Sequence, residues 1–140
     1  MKISLTARQK ALVVFACFAV AIIGFMIKLP AAFRHIDKEL HAAFYFLAAA
    51  FLNLLFVKTN LVKHVLSFLG LYLFGMAIEY AQAYSNRFFR TRIHGRFDPE
   101  DMQWNLTGLL AFSGLWLLCI VVLLVYKRGT LKDDGYQSKV

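Results

Sequence analysis

Charge is scarce in this sequence, and cysteine scarcer still. Only 17% of the 140 residues are charged, against 60% hydrophobic, a balance unusual for a soluble domain of this length. The two cysteines, Cys17 and Cys119, both lie inside apolar runs without paired spacing. That excludes a disulfide framework or a cysteine-based metal motif and leaves two small hydrophobes. There is no Gly-rich phosphate loop, no nucleophile with its base at helical spacing, no cofactor signature, no internal repeat and no low-complexity segment. Weak alternating segments of about ten residues, the mark of a membrane barrel, are also missing.

What is present is four long apolar runs, at residues 11–27, 40–57, 65–83 and 104–126. Crossing about 30 Å of hydrocarbon takes roughly 20 apolar residues, and a continuous run in lipid must be helical to satisfy its backbone. The fold class expected is therefore an all-α membrane protein, a bundle of four transmembrane helices. Residues 1–10 form an amino-terminal segment, 11–129 the transmembrane domain and 130–140 a polar, frayed tail. The basic residues Lys2, Arg8 and Lys10 precede the first run, which reads as an uncleaved signal anchor. A few residues separate the second and third runs and force a helical hairpin. Residues 84–103 are the one long loop.

The net charge of +8 comes from sixteen Lys and Arg. They sit between and beside the apolar runs, where they set topology and meet anionic headgroups; nucleic acid is not expected as a partner. With the amino terminus inside, nine basic residues are cytoplasmic (Lys2, Arg8, Lys10, Lys58, Lys63, Lys127, Arg128, Lys132, Lys139) and seven are outside (Lys28, Arg34, Lys38, Arg87, Arg90, Arg92, Arg96). The positive-inside rule then places both termini in the cytoplasm.

An ionisable residue within a span is costly and is a functional candidate by default. Asp37, His41 and Tyr45 stand at i, i+4 and i+8 on one face of the second helix. Gly75, Glu79 and Gln82 share a face near the end of the third. Asp101, Asn105 and Gly108 share a face at the start of the fourth. Antiparallel threading brings the three stripes to one side of the membrane, with Glu79 roughly 21 Å along its helix from Val65 and so within the far leaflet. The long loop alternates arginine with aromatics, a composition suited to a headgroup zone and to holding phosphate or carboxylate. Each feature has a plainer reading: Asp37 and Asp101 as helix caps, His41 as a hydrogen-bonded bundle residue, Gly75 and Gly108 as close-packing positions, the arginines as headgroup anchors.

Taken together, Asp37-Lys38-x-x-His41-x-x-x-Tyr45, Gly75-x-x-x-Glu79-x-x-Gln82, Arg96 and Asp101-x-x-x-Asn105-x-x-Gly108 resemble the VanZ-like family over residues 36–114. The interval between Arg96 and Asp101 is a residue short of the common pattern, so the family's arginine is Arg96, Arg92 or Arg90. The resemblance implies a small multi-pass protein of the bacterial cytoplasmic (inner) membrane; the founding member is linked to low-level teicoplanin resistance. The expected role is in the cell envelope, at the extracytoplasmic face. Asp37, Lys38, Tyr45, Gln82, Arg96, Asp101 and Asn105 would bind an anionic lipid headgroup or lipid-linked intermediate, with Asp37 and Glu79 in an ion-pair network with Lys38 and Arg96. The alternative is a membrane-embedded enzyme on a phospholipid or lipid-linked substrate, with His41 and Glu79 as acid and base. No cofactor is expected, although Asp37, His41, Glu79 and Asp101 are the donor types that could gather a divalent metal. A membrane protein partner or a second copy of the chain is a further candidate partner.

Overall fold

The structure is a computed structural model that describes residues 5–27, 36–88 and 97–137, the last eight of these as backbone only. It is all helical, with no strand among the described residues. Helix α1 spans Ala7–Met26, α2 spans Asp37–Leu52 and continues through a π-helical turn Asn53–Val57, α3 spans Leu61–Ser85 and α4 spans Pro99–Gln137. All four are long and apolar enough to cross a membrane.

Local chemistry extends each helix beyond its apolar run. The Thr6 hydroxyl accepts from the Gln9 amide at 3.3 Å while the Gln9 side chain accepts from the Thr6 amide at 2.9 Å, a capping box that starts α1 ahead of its apolar stretch. The Asn60 side chain caps α3 by accepting from the Lys63 amide at 2.9 Å. At α4, Pro99 takes the first helical position, where its missing N–H costs nothing. The Asp98 carboxylate there accepts from the Glu100 amide at 2.8 Å. Asp98 is thus the capping side chain at α4, and Asp37 and Asp101 lie inside the first turns. At the other end, α4 runs on as helix to Gln137, where the sequence reading has a frayed tail from residue 130.

Only Lys58, Thr59 and Asn60 separate the π-helical turn from α3, so α2 and α3 form the expected hairpin. Lys58 holds φ at 54°, a left-handed value uncommon for a residue with a side chain. The core formed by Tyr45, Ala49, Val57, Leu71, Leu109, Phe112 and Trp116 lies between α2, α3 and α4. Helices α2 and α4 approach closely at Gly108, where an added Cβ would run into the Ala42 backbone carbonyl, as a close-packing glycine requires. Helix α1 buries no residue fully. It leans on the bundle through Phe18 against Phe74, at 4.9 Å, and Phe25 against Phe44, also at 4.9 Å.

Outside this core the helices present Leu, Val, Ile and Phe outward, and α4 does so from Leu117 to Tyr126 almost without interruption. Such a surface suits a lipid environment, where it costs nothing, and no aqueous one. Cys17 and Cys119 also face outward rather than into the core.

Candidate functional site

The antiparallel threading carries the start of α2, the end of α3 and the start of α4 to one end of the bundle. Contacts between the stripes follow. His41, 5% exposed, meets Asn105, 1% exposed, with its Nδ1 at 2.9 Å from Asn105 Oδ1. With the carboxamide oxygen as acceptor, the contact is made by a protonated Nδ1. The Asn105 amide nitrogen faces Met102 Sδ at 3.7 Å. Tyr45 is one turn deeper on the same face of α2, and Gly75 opens the space for it: a Cβ on Gly75 would sit 2.8 Å from both the Tyr45 hydroxyl and Asn105 Nδ2. The glycine on α3 thus admits polar groups from α2 and α4 together.

Glu79 is 2% exposed. Its Oε2 accepts the Asp98 backbone amide at 3.2 Å, while Oε1 is enclosed and has no partner among the described residues. The Tyr45 hydroxyl is likewise enclosed and unpartnered. Two such atoms in one cluster depart from the rule that buried polar groups are satisfied, and such exceptions mark places where a ligand, water or ion belongs. Asp37, His41 and Asp101 bring their donor atoms within 4.8 Å of one another. Six of the eight acidic residues of the chain, Asp37, Glu39, Glu79, Asp98, Glu100 and Asp101, belong to this end.

One expectation is revised by these contacts. Lys38 pairs with Glu100 at the half-exposed rim and not with Glu79. It follows Asp37 by one residue, about 100° round the helix, so its side chain leaves the Asp37–His41–Tyr45 face and extends outward. Glu79 answers to a backbone amide instead. Gln82, also expected at the site, donates its amide to the Phe25 carbonyl at 2.8 Å and ties the end of α3 to the end of α1. Arg90, Arg92 and Arg96, the loop arginines expected to hold an anion, lie outside the described residues, and so does most of the long loop. Arg87 is described and lies over the Tyr84 ring at 5.0 Å.

A second polar group, at the opposite end, has no counterpart in the sequence reading. Asn53 Nδ2 lies 3.3 Å from His64 Nδ1, and His64 Nε2 lies 3.0 Å from the Ser113 hydroxyl. The His64 ring stacks on Trp116 at 4.1 Å with the planes 3° apart, and the Trp116 indole donates to the Lys58 carbonyl at 2.7 Å. Lys10 of α1 reaches the same hairpin, donating to the Leu55 carbonyl at 3.0 Å. Here the protein's donors and acceptors are matched, which marks this group as structural. The only available sequence signal was polarity within apolar runs at Asn53, His64 and Ser113.

Comparison with family models, with curated proteins and with solved structures gives no match to this chain.

Proposed function

We propose that this chain is a VanZ-like protein of the bacterial cytoplasmic membrane that binds the polar headgroup of an amphipathic envelope molecule, a phospholipid or lipid-linked intermediate, at the α2–α3–α4 end of its bundle. The observation that carries the reading is the pair of enclosed, unpartnered oxygens, Tyr45 Oη and Glu79 Oε1. In a bundle surrounded by hydrocarbon an unsatisfied polar atom costs several kcal/mol, and a headgroup entering from the membrane surface supplies the missing hydrogen bonds. The position supports an amphipathic ligand in particular, since the same helices carry exposed apolar side chains along their lengths. In this reading the end loop faces the extracytoplasmic side and contributes its arginines, and Asp37, Tyr45, Glu79, Asp101 and Asn105 line the headgroup. A role in glycopeptide susceptibility follows the family resemblance.

The test is mass spectrometry of the lipids that remain with the purified protein after mild detergent exchange. The wild-type chain should retain a defined headgroup class that Tyr45→Phe and Glu79→Gln release, with membrane abundance unchanged. Equal lipid content in all three would defeat the reading. Conversion of the retained molecule on incubation, abolished by His41→Ala, would instead make the site an enzyme with His41 and Glu79 as its acid and base.

A further inference from the structure

We propose that Asp37, His41 and Asp101 form a site for one divalent cation of the Mn2+ or Zn2+ class, and that this ion bridges the protein to the anionic headgroup. The bridging half rests on the headgroup reading above; the cation site stands on its own geometry. Two helices supply the donors. Asp37 and His41 are one turn apart on α2, Asp101 comes from the first turn of α4, and their ligand atoms all fall within 4.8 Å of one another. The register between the two helices is held by the close approach at Gly108 and Ala42, two turns from Asp101, so the separation of the donors is fixed by packing.

The histidine is already oriented as a ligand. Its Nδ1 is engaged by Asn105 Oδ1 at 2.9 Å, the arrangement in which Nε2 of a neutral ring would be the metal donor. Metal-binding histidines are held in this way by a hydrogen-bond acceptor on the other ring nitrogen. Glu79 gives an independent indication from a third helix. Its enclosed Oε1 has no partner, and its carboxylate lies within electrostatic reach of Asp101 and His41. An acceptor in that position suits water carried by the ion.

Charge supplies the reason for a cation. The described part of this end holds six carboxylates, and Lys38 is committed to Glu100. The helix N-termini favour the carboxylates of the first turns, and Glu79 shares that environment through the Asp98 amide at the start of α4. Against the Asp37 and Asp101 carboxylates themselves, an anionic headgroup would be repelled. A divalent ion between them reverses the sign of the interaction. The donor set narrows its class: carboxylates alone suit Mg2+ or Ca2+, whereas an imidazole beside two carboxylates favours Mn2+ or Zn2+. With three protein ligands the ion keeps open positions for headgroup oxygens.

The experiment uses the full chain in nanodiscs, stripped with EDTA and titrated with Mn2+ under electron paramagnetic resonance. Wild-type protein should bind one ion per chain, with nitrogen modulation from an imidazole that vanishes in His41→Gln. Asn105→Leu should weaken Mn2+ by about tenfold or more, as loss of a ligand's orienting partner does, and Zn2+ should compete. Absence of Mn2+ and Zn2+ binding to the wild type at micromolar concentrations overturns the cation site without recourse to any variant. So does nitrogen modulation that persists in His41→Gln. If Mn2+ binds but phospholipid retention is the same with and without EDTA, the bridge is overturned and the cation site upheld. If no ion binds while Glu79→Gln still releases lipid, the cation site falls and the headgroup reading stands.

Discussion

Tyr45 is only 1% exposed, yet its hydroxyl meets neither donor nor acceptor among the described residues. A buried hydroxyl left without a partner costs about 1–3 kcal/mol, and a phenylalanine in the same place avoids that cost without changing the packing. Tyr45→Phe should therefore stabilise the ligand-stripped protein by about 1 kcal/mol, seen as a higher midpoint of unfolding in a mixed-detergent titration. It should at the same time lose the retained headgroup, the exchange of stability for function seen at binding sites. A lower midpoint for the variant would mean that the hydroxyl has a structural partner and is no vacancy. Lys38 offers the contrasting case. Its ion pair with Glu100 is half exposed on both sides, and exposed pairs contribute little to stability. Lys38→Ala should leave the same midpoint nearly unchanged and Mn2+ affinity within a few-fold. A large loss on both measures would show that Lys38 belongs to the site after all.

Helix packing turns on two glycines with different neighbours. At Gly108 an added Cβ meets the backbone of Ala42, which has no means of giving way, whereas at Gly75 it meets the ends of the Tyr45 and Asn105 side chains. Gly108→Ala should thus separate α2 from α4 and destabilise by about 1–3 kcal/mol, the usual cost of overpacking. Gly75→Ala should cost less stability but displace Tyr45 and Asn105, so its larger effect should fall on ligand retention. Gly114, with nothing within 4 Å of its added Cβ, is the control; Gly114→Ala should be neutral or slightly stabilising. The same contrast explains what could be read in advance. Four helical spans were legible because each run is continuous and near bilayer length. The stripes were legible because Asp37–His41–Tyr45 and Asp101–Asn105–Gly108 recur at helical spacing, and threading does the rest. The partner of Lys38 was not, since Glu100 sits at a helix start whose position depends on Asp98 and Pro99. Neither was the Asn53–His64–Ser113–Trp116 group. It joins three elements through a π-helical turn that shifts the register of α2 by one residue, and no periodicity in the sequence announces that shift.

The two ends of the bundle differ: one gathers six of the eight acidic residues and the two unpartnered oxygens, and the other is closed by the His64–Trp116 stack. Which end faces the cytoplasm decides what the acidic end can meet. With all four helices spanning, both termini lie on one side, and the expectation from nine basic residues against seven is that this side is cytoplasmic. Phe88, 74% exposed just beyond α3, marks the acidic end, and Thr59, exposed between the π-helical turn and α3, marks the other. Cys17 and Cys119 sit on lipid-facing surfaces, where a charged maleimide does not reach, and replacing both with Ser in the background removes any ambiguity. In intact cells such a reagent should label Phe88→Cys, and should reach Thr59→Cys only after permeabilisation. The reverse pattern would place the acidic end in the cytoplasm. The site would then meet lipid-linked intermediates before they cross the membrane, and an extracellular glycopeptide could not be its ligand. The orientation test thus separates two populations of amphipathic molecule that the chemistry of Tyr45, Glu79 and the Asp37–His41–Asp101 cluster would accept equally.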